Sequence, residues 1–303
     1  MSWLEKILVY VDGTEAAEEV LSPVAALAGG LGSTVTLAYV MPCPECSPSP
    51  PIHLSRRVRP GNLRAGCLYL EQLHHLLEEL EVENEVMIAV GHPGEVLVGL
   101  AEEGAGLIAL PASGPFPHGS LGISLVDLVR RTGVPLLLYS PLRHTGGFAM
   151  QRFGTVVAPL DGSPFTEEAL PLAQGVATAL GCPLVLPRVL PGRRRAPGTE
   201  SLTELPAAAA GAEEEAALYL GGVVEGLLET GVQAQPLLLY GDPGLELVEL
   251  AHQTPESLIV MSACKVCGGG PWFRGTIAHD VIHGSGTPVL LAPSEGHQED
   301  HTW

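Results

Sequence analysis

Lysine is almost absent from this chain of 303 residues: of 15 Lys plus Arg, only Lys6 and Lys265 are lysine. Basic residues of either kind are scarce against 34 Asp plus Glu, and the formal net charge is −19. A field that negative repels phosphate backbones and acidic lipid surfaces at long range, so no nucleic-acid and no membrane partner is expected. No apolar run approaches the roughly 18 residues that a membrane-crossing helix needs. The opening stretch, MSWLEKILVYVDG, mixes acids and glycine into its apolar residues, which does not read as a signal peptide. These absences predict a soluble, cytoplasmic protein. Chemistry-bearing motifs are also missing: no Walker-type G-K-[ST], no nucleophile–base–orienter set and no paired acid/base carboxylates stand out. That inventory supports no dedicated catalysis, and no catalytic residue is assigned.

What the chain does contain is enough apolar sequence, 46 %, to fill two cores. It also contains itself twice. Ile7 to Leu21 (ILVYVDGTEAAEEVL) aligns with Val156 to Leu170 (VVAPLDGSPFTEEAL), and Asp12 and Asp161 differ by 161 − 12 = 149. Leu68-Tyr69-Leu70 returns as Leu218-Tyr219-Leu220, and Gly91-His92-Pro93-Gly94 as Gly241-Asp242-Pro243-Gly244, both at an offset of 150. Val134-Pro135-Leu136-Leu137 returns as Thr287-Pro288-Val289-Leu290, at an offset of 153. A register held that long marks a tandem duplication with a domain-sized period. The predicted domains are residues 1–145 and 154–294, followed by a tail at 295–303, with a polar, glycine-containing seam from Leu142 to Phe153.

Within each copy, strand and helix patterns alternate. In the first, Ile7–Val11, Thr34–Val40, Glu85–Val90, Gly106–Leu110 and Pro135–Tyr139 read as strands. Thr14 is placed to cap a helix running to about Gly30, with Glu15 and Glu18 at its positive end. Leu63–Val82 carries leucines, Leu68 and Leu70 among them, near helical spacing. Further helices are expected over Gly94–Glu103 and Ile123–Arg131. Such alternation predicts an α/β fold: two tandem doubly wound domains, each with a five-stranded parallel sheet, related by a pseudo-twofold axis as an intrachain pseudo-dimer. Further homo-oligomerisation stays open. In such sheets ligands lie beyond the carboxyl ends of the strands, at the switch point. Two loops of each copy meet there: the turn after strand one, with Asp12 or Asp161, and the glycine-rich loop after strand four. The strand-one turn has an equally good reading as a simple turn-former.

These residues resemble the universal stress protein family, in its tandem form. The likeness rests on the turns Val11-Asp12-Gly13-Thr14 and Leu160-Asp161-Gly162-Ser163, on the G-x-P element after strand three, and on the strands Leu107–Leu110 and Leu258–Met261. It rests also on the closing segment that ends in Val-Pro or Thr-Pro. The resemblance implies a Rossmann-like fold of the adenine-nucleotide alpha-hydrolase kind. It further implies an ATP site in which a G-x-x-G-x9-G-[ST] loop holds phosphates, with Mg²⁺ as a companion ion. The strand-one Asp then lies near the ribose, and a hydrophobic residue ending strand two lies beside the adenine. In copy two, Pro159, Asp161, Val189, Gly275, Thr276 and Ile277 match. Ser262 and Lys265 stand where the leading glycines belong; Gly268 can serve as the second glycine only with a shortened loop, and Lys265 can pair with a phosphate. In copy one, Asp12 and Val40 match, but Pro111 and Gly114 stand for the leading glycines and Gly122-Ile123 for the closing pair. Isoleucine brings no hydroxyl, a gap that Ser120 or Ser124 could fill. The expected function is therefore adenine-nucleotide binding in stress response or regulation, with copy two the better site. The rival is a scaffold or interaction protein of the same fold that has lost the ligand.

Two C-x-x-C pairs have the form of zinc knuckles, Cys43 with Cys46 and Cys264 with Cys267. Together the four thiolates could complete a structural zinc site, so Cys43, Cys46, Cys264 and Cys267 are the expected metal ligands. A redox dithiol and unremarkable free thiols stay open beside it. Cys67 and Cys182 read as small core residues. His74-His75 reads as a partly exposed helix face, and His279 and His283, at i, i+4, lack an evident third ligand. If the four paired cysteines share one ion, protein purified without a histidine tag should carry about one zinc per chain by elemental analysis. Less than about a tenth of an equivalent, with four freely titrating thiols, returns them to the other readings.

Overall fold

The computed structural model describes residues 4–41, 60–112, 121–142, 151–192, 207–263 and 277–294. The first unit comprises β1 (Lys6–Val11), α1 (Glu15–Glu19), α2 (Leu21–Leu31), β2 (Thr34–Met41), α3 (Pro60–Glu79), β3 (Asn84–Val90), α4 (Pro93–Glu102), β4 (Leu107–Pro111), α5 (Leu125–Thr132) and β5 (Leu136–Tyr139). The second repeats the order with β6 (Thr155–Val157), α6 (Pro164–Glu167), α7 (Leu170–Leu180), β7 (Leu184–Leu190), α8 (Ala207–Glu229) and β8 (Ala234–Tyr240). It closes with α9 (Pro243–Gln253), β9 (Ser257–Ser262), α10 (Ile277–Gly284) and β10 (Val289–Ala292).

Each unit is a parallel, doubly wound sheet, as its alternating pattern predicts, and the two sheets join into one. The strand order is β3-β2-β1-β4-β5-β10-β9-β6-β7-β8. β5 and β10 pair antiparallel, Leu137 opposite Leu290, so the strands of the two units run in opposite senses and their carboxyl ends open at opposite edges. The inner strands β1, β4, β5, β9 and β10 are largely apolar and buried because helices cover both faces, and their period of two divides them between two cores. Ile7, Val9 and Val11 enter one core and Leu8 and Tyr10 the other. Both cores continue across the seam: Leu137 and Leu290 share the first, Leu136, Leu138, Val289 and Leu291 the second.

The helix expected from Thr14 to about Gly30 is broken in two. Thr14 does cap it, its hydroxyl accepting from Ala17 N. However, Pro23 has no N–H for the carbonyl of residue 19, and α1 ends at Glu19. Pro171 does the same to residue 167, where α6 ends. The second pieces, α2 and α7, pack on each other across the seam. There Gly30 leaves room for Leu180, whose Cδ2 a Cβ would strike, and Gln151 N donates to Ser22 Oγ at 3.0 Å.

One expectation on α3, that Cys67 is a core residue, is corrected. The buried stripe of the helix is Gly66, Leu70, Leu73 and Leu77. At 100° per residue Cys67 falls about a quarter-turn off that stripe and Leu68 lies on the opposite side. Cys67 is accordingly exposed and Leu68 is 53 % exposed, as is its counterpart Leu218 at 72 %. Cys182 is half-buried, and burial raises its thiol above the usual range.

Because both cores run through the seam, truncating either strand partner should be felt by the whole chain. Leu137→Ala or Leu290→Ala is expected to cost about 2–5 kcal/mol and to lower a single cooperative transition in thermal and urea melts. Two well-separated transitions would contradict the shared cores.

Candidate functional site

In each unit the switch point lies where β1 or β6 separates the strands wound to either side. In the second unit the chain after β6 stays attached to β7: Ala158 N donates to Val185 O and Leu160 N to Pro187 O, both at 2.9 Å. On the β9 side the ladder ends at Val157, because the next residue of that parity is Pro159, which has no N–H. Continuing the β6–β7 register puts Asp161 level with Val189 on the neighbouring strand.

The Asp161 side chain folds into its own turn. Its Oδ1 accepts from Ser163 N and from Thr166 Oγ1, each at 2.8 Å. Ser163 caps α6, accepting from Thr166 N, and Gly162 takes φ +92°, a conformation costly for any residue with a Cβ. Burial works against the carboxylate's charge, but the bonds from Ser163 and Thr166 outweigh it and hold Asp161 below the ordinary carboxylate range. At the end of β9, Ser262 donates from its hydroxyl to Phe165 O at 2.8 Å. The serine that stands in a leading-glycine position thus ties strand to helix. Ile277, also half-buried, packs against the second core.

The first unit builds the same turn with a fuller surround. Asp12 Oδ1 accepts from Thr14 N at 3.0 Å and Thr14 Oγ1 at 2.7 Å, and by register it is level with Val40. Tyr10 takes the place of Pro159. It is 2 % exposed and fills the core beside Val40, and burial, then the charge of Asp12, pushes its hydroxyl up. Beyond Gly122, which takes φ +70°, Ile123 turns onto the start of α4: a Cβ at Gly94 would collide with Ile123 Cγ2, and Gly94 N donates to Leu121 O at 2.8 Å. Ser124, a candidate substitute hydroxyl, is engaged as the cap of α5, accepting from Asp127 N at 3.0 Å and donating to Asp127 Oδ2 at 2.8 Å.

A second constellation in the second unit was not anticipated from the sequence. Arg188, on β7, packs its guanidinium against Gly162 and lies 5.2 Å from the centroid of the Tyr219 ring. Tyr219 Oη donates to Glu167 Oε1 at 2.7 Å. By register the first unit has Tyr39 in place of Arg188, and Tyr39 meets Tyr69 edge-on at 6.0 Å. The available signal was an arginine interrupting an otherwise apolar strand, LVLPRVL, at the level of the strand-one turn.

Gly114, Ser120, Lys265, Gly268, Gly275 and Thr276 lie outside the described residues. The zinc site expected from the paired cysteines finds no support in the structure. Cys43, Cys46, Cys264 and Cys267 all lie outside the described residues, and among the described residues no group of three or more His, Cys, Asp or Glu side chains could hold a metal ion. His279 and His283 lie 4.7 Å apart between ring centroids with their planes tilted by 52°, and burial, then His279, lowers the His283 pKa. No described helix is long and apolar enough to cross a membrane.

The family model described as the universal stress protein family matches this chain twice, over residues 4–140 and 152–293. A curated relative, the universal stress protein YxiE of Bacillus subtilis (strain 168), is 27 % identical over 147 residues, 46 % of this chain and 98 % of that protein. Among solved structures, a universal stress protein from Archaeoglobus fulgidus DSM 4304 superposes with a TM-score of 0.65 at 18 % identity, covering 97 % of both chains. A functionally unknown protein from Pseudomonas aeruginosa PAO1 gives 0.57 at 17 % identity, covering 96 % of this chain and 93 % of its own. At these identities the structures establish the fold.

The bonds on Asp161 carry a pH signature. A carboxylate whose folded pKa lies below its unfolded value, about 3.9, stabilises the fold above that pH, and the contribution is lost as pH falls through the folded pKa. Urea melts of Asp161→Asn should therefore show lower stability than the parent at pH 7 and a difference that shrinks below about pH 4. An unchanged gap across that range would show that the charge of Asp161 contributes nothing.

Proposed function

Because the chain belongs to the universal stress protein family, matched by both of its halves, we propose that it is a cytoplasmic adenine-nucleotide-binding protein of stress response or regulation, with the nucleotide held by the second unit. The observation that carries this reading is the Asp161 turn. It presents a half-buried, ionised carboxylate beyond the carboxyl end of β6, level with Val189 at the switch point. A carboxylate that only accepts suits the hydroxyls of a ribose, and Pro159, Val189 and Ile277 offer apolar surface to a base. In this reading Lys265, Gly268, Gly275 and Thr276 serve the phosphates, with their Mg²⁺, at the start of α10.

The first unit supports the same ligand poorly. Asp12 and Val40 are retained, but Tyr10 fills the core beside them, Ile123 packs on Gly94, and the Ser124 hydroxyl is engaged by Asp127. Binding and signalling are favoured over turnover, since no nucleophile–base pair accompanies the Asp161 turn among the described residues. The rival reading, a scaffold without nucleotide, draws on Ser262, whose bond to Phe165 O occupies a position that the resemblance gives to a phosphate-loop glycine.

Calorimetry with ATP and Mg²⁺ separates the two. The expected result is one nucleotide per chain, an affinity at least about tenfold weaker in Asp161→Ala, and no change in Asp12→Ala. Neither heat nor a thermal shift at about 1 mM ATP would leave the scaffold reading.

A further inference from the structure

We infer that Arg188 is the positioning residue of the second unit's strand-one turn: its guanidinium, packed on the Gly162 backbone and the Tyr219 ring, holds the Asp161 carboxylate where a ligand meets it. The ligand part of this inference rests on the nucleotide reading; the holding of the turn does not.

The geometry is that of a planar brace. A Cβ placed on Gly162 would lie 3.2 Å from Arg188 Nη1 and 3.3 Å from both Cζ and Nη2, so the guanidinium presents its flat side to the glycine. The same group lies near the Tyr219 ring, where the quadrupole of an aromatic attracts a cation. Tyr219 is itself anchored, its hydroxyl donating to Glu167 at the end of α6. Thr166, one residue earlier, donates to Asp161. The chain of contacts thus closes on itself: Asp161, Gly162, Arg188, Tyr219, Glu167, Thr166 and back to Asp161. A loop closed in this way limits the turn to one shape, and its centre is the arginine.

The first unit gives an internal comparison. There Tyr39 replaces Arg188, also planar but uncharged, and meets Tyr69 edge-on. Glu18, in the place of Glu167, is exposed, and burial, then the neighbouring Glu15, raises its pKa. The Asp12 carboxylate accepts from the neighbouring Thr14, whereas Asp161 also holds Thr166, five residues on. A Cβ at Gly13 would meet nothing within 4 Å, so Tyr39 does not brace the first unit's turn, and Ala17, in the place of Thr166, has no hydroxyl to donate to Asp12.

The test compares Arg188→Ala, Arg188→Tyr and Arg188→Lys in the full chain, with two readouts. The first needs no ligand: the Asp161 carboxyl titration followed by NMR. In Arg188→Ala the turn loosens, the bonds from Ser163 and Thr166 weaken, and the titration should move up toward the ordinary carboxylate range. In Arg188→Tyr, which installs the first unit's residue and with it an unbraced turn, it should move up likewise. In Arg188→Lys, whose ammonium has no planar face, it should follow the alanine variant. The second readout is ATP affinity by calorimetry, with a loss of about tenfold expected in all three variants. An Asp161 titration unmoved in Arg188→Ala, or a lysine or tyrosine variant equal to the parent, overturns the brace. A parent that binds no ATP overturns the nucleotide reading alone, and the titration still decides the brace.

Discussion

The antiparallel pairing of β5 with β10 is the contact on which the rest of the molecule depends. Without it each unit would end in an open edge strand, four residues long and fully apolar, with unpaired N–H and C=O groups. Pairing the two edges satisfies those groups and makes one ten-stranded sheet from two five-stranded ones. It also forces the helices on either face into common layers, so α2 meets α7 and both cores pass through the seam. A duplicated chain carries this self-complementary contact within one polypeptide, at the effective concentration of a tether instead of that of a free partner.

That pairing has a consequence for function. Reversing the strand direction at the seam sends the two switch points to opposite edges of the sheet, so the two strand-one turns cannot share a ligand. Each unit is free to keep or lose its site, and the residues have diverged accordingly. The second unit keeps proline ahead of its aspartate and acquires a cation beneath the turn; the first replaces the proline with a buried tyrosine and lays an isoleucine over the start of α4. A charge of −19 over the chain makes a fixed cation at one turn a local exception in an otherwise repulsive field for anions.

Much of the fold was legible because the signals were local and occurred twice. Short β-rich runs, the Thr14 cap and the proline-led start of α4 each announce themselves within a few residues, and the repeat at 149–153 tests each against its copy. The break of the first helix was equally local, written in Pro23 and Pro171, since a proline removes the donor that the carbonyl four residues earlier requires. The burial of Cys67 was misjudged for a different reason. Leucine-rich spacing identifies a helix but does not say which stripe faces the sheet, and that depends on where the helix is docked.

By itself the sequence determined the tandem α/β architecture and the positions of the two strand-one aspartates. Both follow from hydrophobic period, capping chemistry and an internal repeat, which act over short stretches of chain. Only the tertiary structure decided that the two sheets become one, that Ser262 and Ser124 spend their hydroxyls on Phe165 and on capping α5, and that Arg188 reaches Gly162 and Tyr219. Ser262 and Arg188 meet partners far along the chain, and the sheets join across their edges, because strand pairing and helix docking bring those groups together; Ser124 bonds within its own first turn, which exists only once α5 has formed on the sheet. Neither composition nor spacing records such contacts.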